Sequence, residues 1–326
     1  QPVKARAVAA LVRLRPETVV LAAFVAVLAG LRLAYGGPLT ADKLTAKVPL
    51  AGMGFIMAAG VLADRLAWAR GHAGWLPGRA GRPWPAAARL ASDWLPVVLC
   101  ILVYENLHDV VKLIHHDTLD PQLARIDAWM FGVQPTFWLQ RLASPWLTEG
   151  LALAYSSYFF TPTILGVLLY AAGRTREFRA FMLAVIAAMY LGFLGYVLVP
   201  AVGPLYYLEG QYDAPARLAG LWFYDAAHAF MNDYRSINRD CFPSLHTAIS
   251  ALTLAWAWRT RALHPLGRTV AWVYLPLTLA LWFSTVYLRY HWVIDLIAGW
   301  ALAAIVMVTV PRIARWWHDA AEGGTS

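Results

Sequence analysis

The sequence predicts an all-α, polytopic membrane protein with about eight transmembrane helices. Hydrophobic residues make up 60% of the 326 residues, charged residues make up only 14%, and the mean hydropathy is +0.52. Soluble domains average roughly 25% charged residues. The chain also contains several stretches of about twenty apolar residues, the helix length that crosses a hydrocarbon core of about 30 Å. These observations exclude a soluble globular domain.

The apolar stretches follow one another along the whole chain. They lie roughly at 18–35, 48–67, 93–114, 148–171, 180–199, 245–262, 267–284 and 291–311. The segment 71–90 interleaves Gly, Pro, Arg and Trp, which is typical of a linker. We therefore predict a two-helix membrane extension with a cytoplasmic linker over residues 1–90, and a six-helix catalytic core over residues 91–326.

The distribution of Lys and Arg predicts the orientation in the membrane, because cytoplasmic loops carry an excess of these residues. With a cytoplasmic N-terminus, 17 of the 27 basic residues lie on the inner side. The long loops 115–147 and 200–244 then lie outside and carry most of the acids. Both termini are therefore predicted to be cytoplasmic. The net charge of +8 is spread over short loops beside apolar helices, which favours membrane lipids as partners and no nucleic acid.

Two segments place ionisable residues beside helices of membrane length. The first runs Cys-Phe-Pro-Ser-Leu-His over 241–246, and the second runs over 284–295. Ionisable residues at a bilayer edge cost free energy unless they are paired or reach a water-filled cavity, so they are candidates for function. In the second segment His291 and Asp295 are four residues apart and share one helix face. Asp295 can therefore hold one imidazole nitrogen and leave the other free to attack. Both segments are predicted to open on the extracytoplasmic side.

The first segment also predicts an anion site. Pro243 suits the first position of a helix, and the amides of Ser244, Leu245 and His246 would then face a phosphate group. A plain helix start with an interfacial histidine is the alternative for this segment alone. A second histidine with its own carboxylate on the same leaflet favours the catalytic interpretation.

These two segments resemble the signatures of a known family. Pro-Ser-Leu-His at 243–246 resembles the PSGH signature of the type 2 phosphatidic acid phosphatase superfamily, and the segment 284–295 is similar to its SRxxxxxHxxxD signature. The resemblance covers about 92–313 and implies a six-helix, phosphatidate-phosphatase-like core. Leu245 replaces the glycine and Thr285 replaces the arginine, a pattern similar to the inositol phosphorylceramide synthase branch of inositolphosphotransferases. The family's first signature, KxxxxxxRP, has no counterpart in this sequence.

The resemblance implies a phosphohistidine mechanism. His291, oriented by Asp295, attacks the phosphorus of a lipid phosphate or phospholipid donor, while His246 protonates the leaving oxygen. His246 then deprotonates water or a hydroxylated acceptor, so a lipid phosphate phosphatase and a phosphotransferase both stay open, and the branch resemblance favours transfer. This scheme needs no metal and no cofactor. A transporter or flippase with a histidine proton relay is the remote alternative, but the inverted repeats and broken helices typical of transporters are not evident in the sequence.

Because the first signature is absent, other residues must bind the phosphate charge. Arg289 lies two residues before His291, and Arg239 lies seven residues before His246. A guanidinium matches phosphate oxygens through its planar fork. Both arginines are therefore candidate substrate-binding residues, with a solvated loop arginine as the alternative for each.

Three further candidates for substrate binding lie at helix ends. Ser244 and Leu245 stand at the predicted helix start, and Lys112 lies at the polar outer end of the third apolar stretch. An internal pair of Asp109 with Lys112 is the alternative reading of that polar end. A rival cluster of metal-ligating residue types follows it, at His115, His116 and Asp117.

Overall fold

The structure, a computed structural model, describes residues 11, 14–35, 86–213, 218–234 and 239–323. Regular structure in these residues is entirely helical, which confirms the all-α prediction. The α-helices are α1 (Pro16–Ala34), α2 (Ala86–Ile114), α3 (Asp120–Phe131), α4 (Pro135–Leu139), α5 (Pro145–Ser156), α6 (Thr161–Ala171), α7 (Thr175–Leu198), α8 (Pro204–Tyr207), α9 (Phe223–Tyr234), α10 (Leu245–Thr260), α11 (Gly267–Tyr287) and α12 (Val293–Gly323). Short 3₁₀ helices cover Gln140–Leu142 and Ser157–Phe159.

Four of the described helices are long and apolar enough to cross a membrane. They are α1, α7, α11 and α12, the last over Val293–Ala320. A fifth candidate consists of α5 with its 3₁₀ extension together with α6, bent by 44° at the break between them. The chain is therefore a polytopic membrane protein.

These spans match the eight predicted stretches only in part. The second stretch, 48–67, lies outside the described residues. The third falls within α2, a helix of 29 residues. The sixth falls on α10, which has 16 residues and, at about 1.5 Å per residue, is shorter than a hydrocarbon core. The described part of the chain thus supplies four or five candidate spans where the sequence predicts about eight over its full length.

The fourth predicted stretch is broken in the structure. The sequence predicts one span over 148–171, but the α-helix ends at Ser156, continues as a 3₁₀ turn and starts again at Thr161. Pro162 gives the physical reason, because it lacks the backbone N–H of a continuing helix and disfavours helical conformation in the residue before it. The break places a short run of aromatic residues, described below, beside the segment 241–246. We call this segment the first motif and the segment 284–295 the second motif.

The described residues form two compact units. The first unit contains α1, α2, the beginning of α7 and the end of α12. Its polar centre is Asp93, which accepts a hydrogen bond from Arg179 at 3.2 Å and pairs with Arg15 at 3.4 Å. The three side chains are largely buried, so each charge needs its oppositely charged partners to offset the loss of hydration. The predicted domain boundary near residue 90 stays a prediction.

The second unit contains both sequence motifs. It comprises residues 115–173 and 191–304 and includes α10, α11 and the first part of α12. Helices approach closely at glycines: a Cβ at Gly195 of α7 would collide with Pro243, and a Cβ at Gly299 of α12 would lie 2.6 Å from the carbonyl oxygen of Ser244. Small residues allow such close packing of membrane helices. The first motif is therefore held between α7 and α12.

Candidate active site

Helix α10 begins at the first motif. Ser244 is its N-cap, and its Oγ accepts a hydrogen bond from the Thr247 backbone N–H at 3.3 Å. The Ser244 N–H donates to the carbonyl oxygen of Asp295 at 3.0 Å. The expectation that the helix starts at Pro243 with a free Ser244 amide is therefore wrong, because α12 takes that amide. This bond ties the two motifs together, and the predicted phosphate contact of Ser244 stays a prediction.

Leu245, the first residue of α10, packs into the helix bundle. Its side chain is 4% exposed and occupies the space that a Cβ at Gly192 of α7 would need. The leucine that replaces the family's glycine therefore has a packing role. Its predicted contact with substrate stays a prediction.

The second motif turns sharply between α11 and α12. The carbonyl oxygen of Thr285 accepts hydrogen bonds from the N–H groups of Tyr290 and His291, at 3.0 and 3.1 Å. Arg289 has a positive φ of 66°, a left-handed conformation that residues other than glycine adopt at a cost of about 1–2 kcal/mol. The strained turn reverses the chain immediately before His291.

Three side chains of the two motifs come together at this turn. His291 Nδ1 lies 3.3 Å from Asp295 Oδ2, and His291 Nε2 lies 3.4 Å from His246 Nδ1. Asp295 is fully buried, and His291 is 4% exposed. With a proton on Nδ1 directed at Asp295, the lone pair of Nε2 faces His246. The arrangement can orient a nucleophilic imidazole and set a second imidazole next to it.

Cys241 adds a thiol to this group. The sequence analysis gave this residue no role in the site. Its Sγ lies 2.9 Å from Asp295 Oδ2 as a donor and 3.5 Å from His291 Nδ1. Burial raises the pKa of the Cys241 thiol, and the neighbouring Asp295 raises it further. The sulfur therefore keeps its proton and donates it to the carboxylate. Among the described residues, these three side chains are the one group of metal-ligating types that converges.

Aromatic rings from the end of α5 and from the 3₁₀ turn that follows it pack against His246. The rings of Tyr155 and Tyr158 both lie 4.3 Å from its imidazole, centre to centre, and Phe159 meets it edge-on at 6.3 Å. Tyr290 packs against Tyr155 at 4.8 Å. We call these four residues the aromatic enclosure. The run Tyr-Ser-Ser-Tyr-Phe at 155–159 was the signal in the sequence, but only the helix break brings it to His246.

Arg289 is buried at the turn that carries His291. It is 2% exposed, and its guanidinium lies over the ring of Tyr212 at 3.6 Å. Burial lowers the pKa of this arginine, while the phenols of Tyr212, Tyr224 and Tyr287 act in the opposite direction. A desolvated cation at this position is suited to an anionic ligand.

The other two basic candidates have different surroundings. The guanidinium of Arg239 donates hydrogen bonds to the backbone carbonyls of His115 and His116, the second at 2.8 Å. Its observed role is therefore to hold the loop after α2. Lys112 lies in the last turn of α2, in the other compact unit, and the side chain of Asp109 lies outside the described residues. Substrate contacts of Arg239 and Lys112 stay predictions.

A match to a protein-family model shows which superfamily this chain belongs to. A model of the PAP2 superfamily matches residues 121–309, which is more than half of the chain. The chain belongs to the PAP2 superfamily. This confirms the resemblance to the type 2 phosphatidic acid phosphatase superfamily, whose members are phosphatases or phosphotransferases. No curated protein and no solved structure matches the chain, so nothing in the comparisons selects a branch.

Two carboxylates from α3 hold the second motif of this PAP2 superfamily member. Asp127 accepts hydrogen bonds from the N–H groups of Val293 and Ile294, at 2.7 and 3.0 Å, and so caps the start of α12. Asp120 accepts from the indole N–H of Trp292 at 2.9 Å and from the N–H groups of 202 and 203. Both aspartates are buried. Together they fix the two ends of the segment between His291 and Asp295, a role that the sequence analysis missed.

The Asp127 cap predicts a pH-dependent contribution to stability. Burial raises the pKa of Asp127 from 3.8 to about 6, although its two backbone donors favour the charged form. Because the folded pKa is raised, this contribution is fully present below about pH 4 and is lost as the pH rises through about 6. We expect the melting temperature of the wild type, relative to Asp127→Asn, to be higher at pH 4 than at pH 7.

Thermal unfolding of both proteins in the same detergent across pH 4–8 tests this expectation. Asp117→Asn removes an exposed acid from the same segment, 115–147, and is the matched control with which the Asp127→Asn difference is compared. A flat difference for Asp127→Asn would contradict the assignment of the titrating group.

Proposed function

We propose that the protein is a phosphotransferase that moves a phosphoryl group or phospho-headgroup from a lipid donor to a hydroxyl acceptor. The observation that carries this proposal is the chain of contacts from Asp295 through His291 to His246, with atom separations of 3.3 and 3.4 Å. It supplies a nucleophile, a group that orients it and an acid or base within reach. An activity like that of inositol phosphorylceramide synthases is the specific form that we propose, because of the Leu245 and Thr285 replacements.

The first chemical step consumes the donor. His291 Nε2 forms a bond to phosphorus while the bond from phosphorus to the lipid oxygen breaks, and that oxygen takes a proton from His246. Reacting atoms stand about 3–3.5 Å apart before attack. His246 Nδ1 already occupies that distance from Nε2, at 3.4 Å. Binding of the donor therefore requires the His246 ring to turn aside within the aromatic enclosure.

The second step regenerates the enzyme. The acceptor hydroxyl gives its proton to His246, its oxygen bonds to phosphorus, and the bond from phosphorus to Nε2 breaks. Asp295 keeps Nδ1 protonated throughout and stabilises the imidazolium form. In this scheme the phosphoryl oxygens are bound by Arg289, which takes the place of the lysine and arginine of the absent first signature.

Transfer is favoured over hydrolysis by the enclosure around His246. Three aromatic rings pack against the His246 imidazole, and their apolar faces suit an acyl or alkyl chain better than bulk water. A lipid phosphate phosphatase is the second candidate, since the same phosphohistidine reacts with water when no acceptor is held. We further propose the topology that the basic residues favour, with cytoplasmic termini and an extracytoplasmic site.

The phosphotransferase and the phosphatase are distinguished by measuring how much labelled phosphate goes to an acceptor and how much to water. The purified protein in lipid nanodiscs receives a phospholipid labelled in its headgroup phosphate, with or without a panel of hydroxylated lipids and polyols. We expect label in an acceptor product, because orienting an acceptor is worth an effective molarity of about 10⁵ M or more. Tyr158→Ala should lower the ratio of transfer to hydrolysis, since it opens the enclosure.

Two further variants serve as controls for the ratio of transfer to hydrolysis. Trp129→Ala removes a Trp that is 85% exposed and should leave the ratio unchanged. His291→Ala should yield neither product. Free phosphate or free phosphorylated headgroup as the sole labelled product across the panel would replace the transferase by the phosphatase.

A further inference from the structure

We propose that Cys241, His291 and Asp295 form a binding site for a thiophilic divalent cation such as Zn²⁺, and that binding inhibits the enzyme. The three donor atoms form a compact triangle. Cys241 Sγ lies 2.9 Å from Asp295 Oδ2 and 3.5 Å from His291 Nδ1, and the latter two atoms are 3.3 Å apart. Zinc binds sulfur at about 2.3 Å, and imidazole nitrogen or carboxylate oxygen at about 2.0–2.2 Å. A point at these distances from all three atoms lies just off the plane of the triangle.

The second oxygen of Asp295 independently points to a cationic ligand. Asp295 is fully buried, and its Oδ1 has no hydrogen-bond partner among the described residues. A buried carboxylate oxygen without a hydrogen-bond partner costs free energy, because it has lost its water and gained nothing in return. A cation bound to both oxygens of this carboxylate would offset that cost. The observation separates Asp295 from an ordinary helix-capping aspartate such as Asp127, whose two oxygens are both bonded.

Charge and donor type favour a soft divalent cation. Binding replaces the thiol proton, which is released to solvent, and leaves one thiolate and one carboxylate against two positive charges. The site would then be neutral within a buried region, with His291 as an uncharged third ligand. Sulfur and nitrogen donors select zinc over magnesium and calcium, which prefer six or more oxygen ligands.

Inhibition follows from the nitrogen that the cation would take. The cation needs the lone pair of His291 Nδ1, so a neutral imidazole must then carry its proton on Nε2. Nε2 is the atom that faces His246 and that attacks phosphorus in the proposed function, on which this inhibitory consequence rests. A bound cation thus removes both the nucleophilic lone pair and the hydrogen bond to Asp295. Turnover needs no metal, so EDTA should not lower it.

The test uses Co²⁺ as a spectroscopic probe and Zn²⁺ as the inhibitor, on the purified full chain. A thiolate ligand gives Co²⁺ a charge-transfer band in the near ultraviolet. We expect this band and one bound Zn²⁺ per chain in the wild type. Cys241→Ser should abolish the band and weaken Zn²⁺ binding and inhibition by about 10–100-fold or more, each rate being compared with the same variant's rate in EDTA. Mg²⁺ should not compete.

Cys100→Ser is the matched control, because Cys100 is the other free and buried cysteine. It should leave the band and the Zn²⁺ affinity unchanged. An absent band, or equal Zn²⁺ affinity in wild type and Cys241→Ser, would overturn the site even if the protein turns over lipid donors. A band without turnover of any donor would instead remove the proposed function and leave the cation site standing.

Discussion

His291→Ala is expected to abolish turnover, lowering the rate by about 10⁴-fold or more. In the proposed mechanism its Nε2 forms the bond to phosphorus, and among the described residues the side chains around it offer no replacement nucleophile with the same alignment. His246→Ala should cost about 10²–10⁴-fold with natural donors, because an acid lowers the barrier without being the bonded atom. With an activated ester, whose leaving group needs no proton, His246→Ala should still form the phosphoenzyme. Rapid quenching and acid-labile label on the protein measure that intermediate.

His264→Ala is the control for loss of a buried imidazole. His264 is buried, as His291 is, but lies just beyond the far end of α10, whereas His246 lies in its first turn. The control should keep wild-type turnover. Equal residual rates for His246→Ala and His291→Ala on the activated ester would reverse or remove the assigned roles.

The contact between His291 and Asp295 was visible in the sequence because its geometry is local. His291 and Asp295 are one helical turn apart, and residues at that spacing face the same direction. The structure adds that His291 itself precedes α12, so the pair is made by a tight turn followed by the first helical residues. The prediction was right about the contact and incomplete about the local conformation that produces it.

The residues that support this pair could not be predicted, since they act across long sequence separations. Asp120 and Asp127 meet residues 172 and 166 positions further along the chain, and Cys241 meets Asp295 at a separation of 54. An acid in a long loop has the same pattern in the sequence whether it is solvated or caps a distant helix. Only tertiary packing distinguishes the two.

Helix boundaries were the other weak point, for a related reason. Pro243 fits a helix start by its own preference, but Ser244 caps α10 and gives its amide to Asp295 of another helix. The helix therefore starts at Leu245, two residues after Pro243, and a contact between helices holds the residue that caps it. The bend between α5 and α6 had a local signal in Pro162. The aromatic run at 155–159 was visible as well, but its contact with His246 depends on tertiary packing.

Arg289→Gly is expected to lose turnover while being more stable than Arg289→Ala. Both variants remove the guanidinium that we assign to the phosphoryl oxygens, and loss of such a positioned donor costs about 10²–10³-fold. Both also remove the contact with Tyr212. They differ at the backbone, because φ is 66° at this residue and glycine adopts that conformation without a steric penalty. Glycine should therefore exceed alanine by about 1 kcal/mol in free energy of unfolding, the reverse of the usual order in helices.

The combination of the two readouts identifies why an arginine occupies a left-handed position. If position 289 mattered only for its backbone conformation, glycine would stabilise the protein against unfolding and leave the turnover rate unchanged. Turnover and thermal unfolding of the two variants are measured in the same nanodiscs, with Arg125→Ala as the control that removes an exposed positive charge from α3. Wild-type turnover in Arg289→Gly would show that the phosphate charge is bound elsewhere. Loss of turnover together with the reversed order of stability would mean that the chain accepts backbone strain in order to place a buried cation beside His291.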